Sequence, residues 1–172
     1  MIGRATPFSI AAASALAGCA AVDVPVPAPP VSLINGSGQA IGAISPSQTS
    51  GGVSLAISAS GVPHGLHGVH VHAVGRCDPA SFDSAGSHWN PAARKHGFND
   101  PQGPHAGDLP NVAASSSGVV RETVVLAGTS LAQLADADGS ALVIHASADD
   151  YVTDPSGNSG ARIACAVLAP PR

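Results

Sequence analysis

Residues 64–72 read HGLHGVHVH, and four of the chain's eight histidines fall in these nine positions. In an extended strand, residues two apart share a face and are separated by about 6.6 Å at about 3.3 Å per residue, so His70 and His72 can grip one ion together. Val69 and Val71 have the opposite parity and face a core. His67 shares that inward parity and is expected to be a hydrogen-bonded structural histidine, whereas His64, set between a proline and a glycine, belongs to an exposed turn. The same pattern of short apolar runs continues on both sides: VSLI (31–34), AIGAI (40–44), GVSLAISA (52–59), HGVHVHAV (67–74), GVVRETVVLA (118–127), SALVIHA (140–146) and ARIACAVLA (161–169). Turn residues separate these runs and few segments between them reach helix length, which predicts an all-β antiparallel sandwich or barrel. The segment 131–139 has room for one helical turn. Two segments, roughly 75–112 and 147–160, are rich in Gly, Pro, Asn and Asp. Loops of that length in a compact domain carry function.

Composition narrows the classes. The chain of 172 residues suits one domain, with seven Lys+Arg against eleven Asp+Glu and a net charge of −4. No basic run or aromatic-plus-basic patch suits a phosphate backbone, which argues against nucleic acid. The opening stretch MIGRATPFSIAAASALAGCA (1–20) has one positive charge at Arg4, a short apolar stretch and small residues before Cys19, and reads as an export signal. Leu16-Ala17-Gly18-Cys19 resembles the bacterial lipobox, in which the signal is cut before a cysteine that carries lipid. The expected organisation is therefore a signal peptide at 1–18, a lipidated cysteine and Pro-rich tether at 19–31, and a domain at 32–172, in a protein of the periplasm or cell envelope held at a membrane through Cys19. With Cys19 set aside, the cysteine count leaves Cys77 and Cys165 either paired in an oxidising compartment or as two buried thiols.

The first long loop contains HWNPAARKHGFNDPQGPHAGD (88–108), with His88, His96, His105 and Asp108 in a segment that has little else to order it. Three imidazoles and a carboxylate make a closed tetrahedral zinc site that could fold such a segment. His145 ends the run ALVI, and Asp149 follows four residues later. Metal-bound histidines need an acceptor on their second nitrogen, and Asp149 is the natural candidate.

The stretches GLHGVHVHAVG (65–75), GSHWNPAARKHG (86–97), PHAGDLPNV (104–112), ALVIHASADD (141–150) and GNSGARIACAVL (157–168) resemble the copper,zinc superoxide dismutase family over about residues 32 to 168. The resemblance implies an eight-stranded antiparallel Greek-key β-barrel with two long functional loops. It also implies copper on His70, His72, His88 and His145, and zinc on His88, His96, His105 and Asp108, with His88 bridging the two. Asp149 would link His70 to His96, Cys77 and Cys165 would form a disulfide, and Arg162 would stand with His88 as a catalytic group beside the copper channel. The implied substrate is superoxide, and the implied assembly is a monomer or homodimer. A non-enzymatic copper- or zinc-holding envelope protein on the same barrel is the rival from another class; loss of a copper ligand or of the channel arginine would mark it.

Overall fold

The computed structural model describes Met1 and residues 24–172. The export signal and Cys19 lie outside the described residues. The strands are β1 (Val26–Pro27), β2 (Val31–Asn35), β3 (Ala40–Thr49), β4 (Gly52–Ala59), β5 (Gly65–His67), β6 (Val69–His72), β7 (Val112–Ala114), β8 (Val120–Ala127), β9 (Ser140–His145) and β10 (Arg162–Ala169). A 3-10 turn (Asp83–Ala85) precedes β7, and a single helical turn, α1 (Leu131–Leu134), precedes β9. Its Ser130 side chain accepts from the Gln133 N–H while the Gln133 side chain accepts from the Ser130 N–H, a reciprocal cap that explains why a turn forms there at all.

All pairings are antiparallel, and the sheet runs β6-β9-β10-β2-β3-β4-β8, with β1 added to β3 and with β5 and β7 forming a separate pair. β5 and β6 are consecutive pieces of one extended stretch interrupted at Gly68. The β5-β7 pair therefore continues the curled sheet from its β6 end back toward β8. Val26 and Pro27, which the sequence assigned to the tether, pair with Gln48 and Ser47.

Alternation explains the inside of this barrel. In β4, Val53, Leu55 and Ile57 are buried while Ala56 and Ser58 are exposed; in β8, Val124 and Leu126 are buried while Thr123 and Val125 are exposed. That is the period of two expected when one face meets a core and the other meets water. β6 and β9 break the rule, because every residue of both strands is buried. Val69 and Val71 join Leu33, Ile44, Leu142 and Ile144 in the main core. The opposite face of β6 is covered by the two long loops, and the site lies there.

A smaller core of Phe82, Ala85, Ala141, Val143 and Cys165 lies under the start of the first loop. The disulfide joins Cys77 to Cys165, 88 residues apart in sequence, and ties that loop to β10. Among the described residues, no helix is long and apolar enough to cross a membrane.

Candidate metal centre

β6 holds the first long loop by its free edge. One edge of the strand pairs with β9; on the other, His70 sits opposite Asp108 and His72 opposite His88. The Val71 N–H donates to the Gly107 carbonyl at 2.8 Å, the Trp89 N–H to the Val71 carbonyl at 2.8 Å, and the Gly107 N–H to the Trp89 carbonyl at 2.8 Å. Two distant pieces of loop thus meet across one strand, which delivers His88 and Asp108 beside His70 and His72. A Cβ on residue 107 would overlap the Val71 carbonyl oxygen, so this approach requires glycine.

One cluster contains His70, His72, His88 and His145, all buried, each offering one nitrogen, with these atoms within 4.8 Å of one another. His70 Nδ1, His72 Nε2, His88 Nε2 and His145 Nε2 are buried without a hydrogen-bond partner. Each ring is held by its other nitrogen: His70 Nε2 lies 2.7 Å from Asp149 Oδ2, His72 Nδ1 2.9 Å from the Gly86 carbonyl, His145 Nδ1 3.2 Å from the Gly160 carbonyl, and His88 Nδ1 3.0 Å from Asp108 Oδ1. Burial lowers the pKa of His70 to about 4, of His72 to about 2 and of His145 to about 3, with nearby charges of like sign adding to the effect. Four oriented imidazoles, three of them held neutral, with orphaned lone pairs converging on one space, fit a metal of nitrogen preference.

The second cluster centres on Asp108 Oδ1, which lies 3.0 Å from His88 Nδ1, 3.1 Å from His96 Nδ1 and 3.3 Å from His105 Nδ1; the last is also 3.3 Å from His88 Nδ1. A tetrahedron with metal–nitrogen bonds of about 2.0 Å has edges of about 3.3 Å, and these four separations are of that size. His70 is close enough to group with His88, His96 and Asp108 as well, but its Nε2 is engaged by Asp149. The other oxygen of Asp108 accepts from the Gly97 and His105 N–H groups at 2.9 Å each. Burial pushes the Asp108 carboxyl up, yet the hydrogen bonds of His88, His96 and Gly97 outweigh it and hold the group well below the usual carboxylate range. His96 shows the converse: burial acts against its charged form, but Asp108 and Asp149 raise it to about 9. The pair of carboxylates holds a positive charge at His96, which a bound cation can supply in place of a proton.

His88 stands between the clusters, with ring centroids 4.0 Å from His70, 4.9 Å from His72, 5.2 Å from His96 and 5.4 Å from His105. Asp149 touches both sides, with Oδ2 on His70 and Oδ1 3.0 Å from His96 Nε2. Its backbone N–H donates to Asn111 Oδ1 at 2.8 Å, and its carbonyl accepts from Asn111 Nδ2 at 2.9 Å. A Cβ on Gly157 would overlap Asp149 Oδ1, so the second loop can fold over the carboxylate only with glycine there. Arg162 donates to the Phe82 and Gly86 carbonyls at 2.7 Å each, and Gly86 is the same acceptor that His72 uses.

The structure brings together every metal-ligating side chain expected from the sequence. It leaves His67 outside both clusters, buried with Nδ1 2.7 Å from the His145 carbonyl and Nε2 2.8 Å from the Pro63 carbonyl. His64 is exposed. Sequence reasoning missed Asn111 and the Gly86 and Gly160 carbonyls, whose roles have no local signature.

A barrel that carries two adjoining buried groups of potential metal ligands has the makings of a metalloprotein. The copper/zinc superoxide dismutase family model matches residues 40–168. Superoxide dismutase [Cu-Zn] 1 of Aquifex aeolicus is 42% identical over 142 residues, covering 79% of this chain and 84% of its own length. The superoxide dismutase-like protein YojM of Bacillus subtilis is 43% identical over 145 residues, covering 80% of this chain and 74% of its own. The crystal structure of the Cu/Zn superoxide dismutase from Brucella abortus superposes with a TM-score of 0.70 at 29% identity, covering 81% of this chain and 98% of that one. The chain belongs to the copper/zinc superoxide dismutase family, and is a copper- and zinc-dependent oxidoreductase that disproportionates superoxide.

Proposed function

We propose that His70, His72, His88 and His145 hold copper, that His88, His96, His105 and Asp108 hold zinc, and that His88 and Arg162 act on superoxide. The observation that carries this division is the set of four orphaned imidazole nitrogens beside a cluster gathered on one carboxylate oxygen. Bound copper supplies alternating one-electron chemistry, by which two superoxide ions and two protons become one dioxygen and one hydrogen peroxide. His88 Nε2 is the atom that can hold a proton for the peroxide, because Nδ1 stays anchored among the zinc-side groups. Asp149 keeps the His70 and His96 rings in one orientation through the cycle. Arg162 spends two N–H groups on carbonyls, which fixes its guanidinium beside His72 and leaves donors for an incoming anion. All copper-side ligands and the arginine are present, against the expectation for a non-enzymatic holding protein.

His88→Ala is expected to impair both metals, whereas His70→Ala should abolish dismutation and leave zinc largely bound. Metal analysis with a superoxide assay on the purified domain tests this; full activity and a normal copper spectrum in His88→Ala would refute the bridge.

The proposal extends to residues 1–18 as an export signal and to Cys19 as a lipidated residue, joined by the Pro-rich stretch that ends in the β1 pairing at Val26 to a domain that is a monomer or homodimer. It is supported by the LAGC stretch and the disulfide. More than one acyl chain is needed for a stable anchor. Lipid labelling should vanish in Cys19→Ser, and persistence of the label would refute anchoring through that residue.

A further inference from the structure

Each imidazole in a metal site has a second nitrogen, and an accounting of those nitrogens singles out one residue. His70 and His96 have Asp149, His72 has the Gly86 carbonyl, His145 has the Gly160 carbonyl, and His88 places its two nitrogens in the two clusters. His105 puts Nδ1 in the zinc-side cluster, and the acidic atom facing its Nε2 is Asp154 Oδ1, at 3.9 Å. The same oxygen accepts from the His96 backbone N–H at 2.9 Å, and the other Asp154 oxygen lies 3.1 Å from Lys95 Nζ. One carboxylate from the second loop therefore meets three residues of the first, two of them in the zinc-side set.

The loop that presents Asp154 is built to hold it still. Asp150 Oδ1 accepts from the Val152 and Thr153 N–H groups at 2.9 and 2.8 Å, and its Oδ2 accepts from Thr153 Oγ1 at 2.6 Å and Asn158 Nδ2 at 2.9 Å. The Gly157 N–H then closes on the Thr153 carbonyl at 2.6 Å. This small carboxylate-centred turn spans residues 150–158, with Asp154 at its tip. Asp149, immediately before it, serves the other zinc-side histidine, His96. Two carboxylates five residues apart, on one ordered loop, thus face the outer nitrogens of His96 and His105.

We infer that Asp154 is a positioning residue for the zinc half of the centre: it fixes the backbone at His96, sets its negative charge 3.9 Å from the outer nitrogen of His105, and so couples zinc retention to the second loop. The salt bridge to Lys95 is between exposed groups and is worth little by itself, so the histidine contacts are the functional ones. The inference rests on the zinc-ligand reading above.

The test is release of zinc from the copper- and zinc-loaded protein to an excess of chelator, followed with the copper spectrum. Loss of an outer partner of a metal ligand lowers metal affinity by about 10-fold or more. Asp154→Asn, which keeps the shape and removes the charge, should release zinc about 10-fold faster with the copper spectrum unchanged. Asp154→Glu should recover much of the retention, and Lys95→Met should behave as the parent. Cobalt(II) placed in the zinc position should show an altered ligand-field spectrum in Asp154→Asn only. Parental zinc release in Asp154→Asn, or equal losses in Asp154→Asn and Lys95→Met, would overturn the inference. His105→Ala separates the two levels: if it also keeps zinc normally, the ligand reading fails; if it loses zinc while Asp154→Asn does not, only the role of Asp154 fails.

Discussion

Gly86 has no side chain, yet its carbonyl receives both His72 and Arg162, so one backbone oxygen ties a ring of the histidine cluster to a guanidinium. The consequence is electrostatic. Without Arg4 and the rest of residues 1–18, the chain carries six Lys+Arg against eleven Asp+Glu, so its net charge of −5 repels an anion. Attraction must be local, and Arg162, which lines a cavity of about 360 Å³ with Ser81, Asp83 and Gly160, is the cation to test. Burial lowers the Arg162 guanidinium, and the charge of exposed Asp83 acts on it in the opposite sense, so Asp83 partly cancels the field an arriving anion would feel. Second-order rates measured against ionic strength should fall as salt rises, because a Debye length of about 10 Å at 0.1 M screens the attraction. Arg162→Glu should lose most at low salt, and Asp83→Asn should gain there, with both differences shrinking at high salt. A parental rate that climbs with salt would remove Arg162 from steering. At this scale the sequence was informative wherever a side chain does the work: strand parity alone separated His67 from His70 and His72. It was silent on Gly86 and Gly160, because a backbone acceptor is the same atom in every residue.

Elements were legible where the period of two ran long enough and illegible where it did not. β4 matches its expected bounds, and β2, β8, β9 and β10 fall within a residue or two of theirs. The apolar run AIGAI ends at Ile44, yet β3 runs on to Thr49. Past Ile44 it outruns β2 and is flanked by β1 instead; Pro46 lies where the strand passes from one partner to the other, and its carbonyl accepts from the Ala28 N–H at 2.9 Å. β7 has three residues and, among the described residues, pairs with β5, too short for alternation to announce it. The two long loops become ordered because other elements clasp them, and the disulfide is one clasp. Replacing Cys77 and Cys165 by serine should cost up to about 4–5 kcal/mol in the chain-entropy treatment of a loop of this length. It should also loosen the Phe82 and Gly86 carbonyls that hold Arg162, so activity should fall with stability. Denaturant unfolding of the metal-loaded double variant checks both, and a loss below about 1 kcal/mol would contradict the role given to the bridge.

For the whole molecule, the two clusters set opposite pH responses, which the metal-free domain should display. His70, His72 and His145 take protons near 6.5 when unfolded, but when folded only near 4, 2 and 3. As pH falls below 6.5 the unfolded state gains protons first, so stability drops toward pH 4. His96 has its folded pKa raised to about 9, so its contribution is fully present below 6.5 and is lost as pH rises through 9. Denaturation midpoints of the metal-free domain should therefore peak near pH 6.5, and zinc should extend the alkaline side by supplying at His96 the positive charge that the proton otherwise brings. A flat profile between pH 5 and pH 9 would contradict the paired environments.

The sequence by itself determined what is local: which residues alternate, which side chains can ligate, and where glycine and proline break the chain into strands and two long loops. These properties follow from a period of two and from the chemistry of single side chains. Only the tertiary structure decided which nitrogen of each ring is left without a partner, that Asp154 faces His105, and that Asn111 holds Asp149. The partners in such contacts lie far apart along the chain, 79 residues in the case of His70 and Asp149. No local pattern spans that distance, and the choice falls to the way the sheet curls and its loops close over β6.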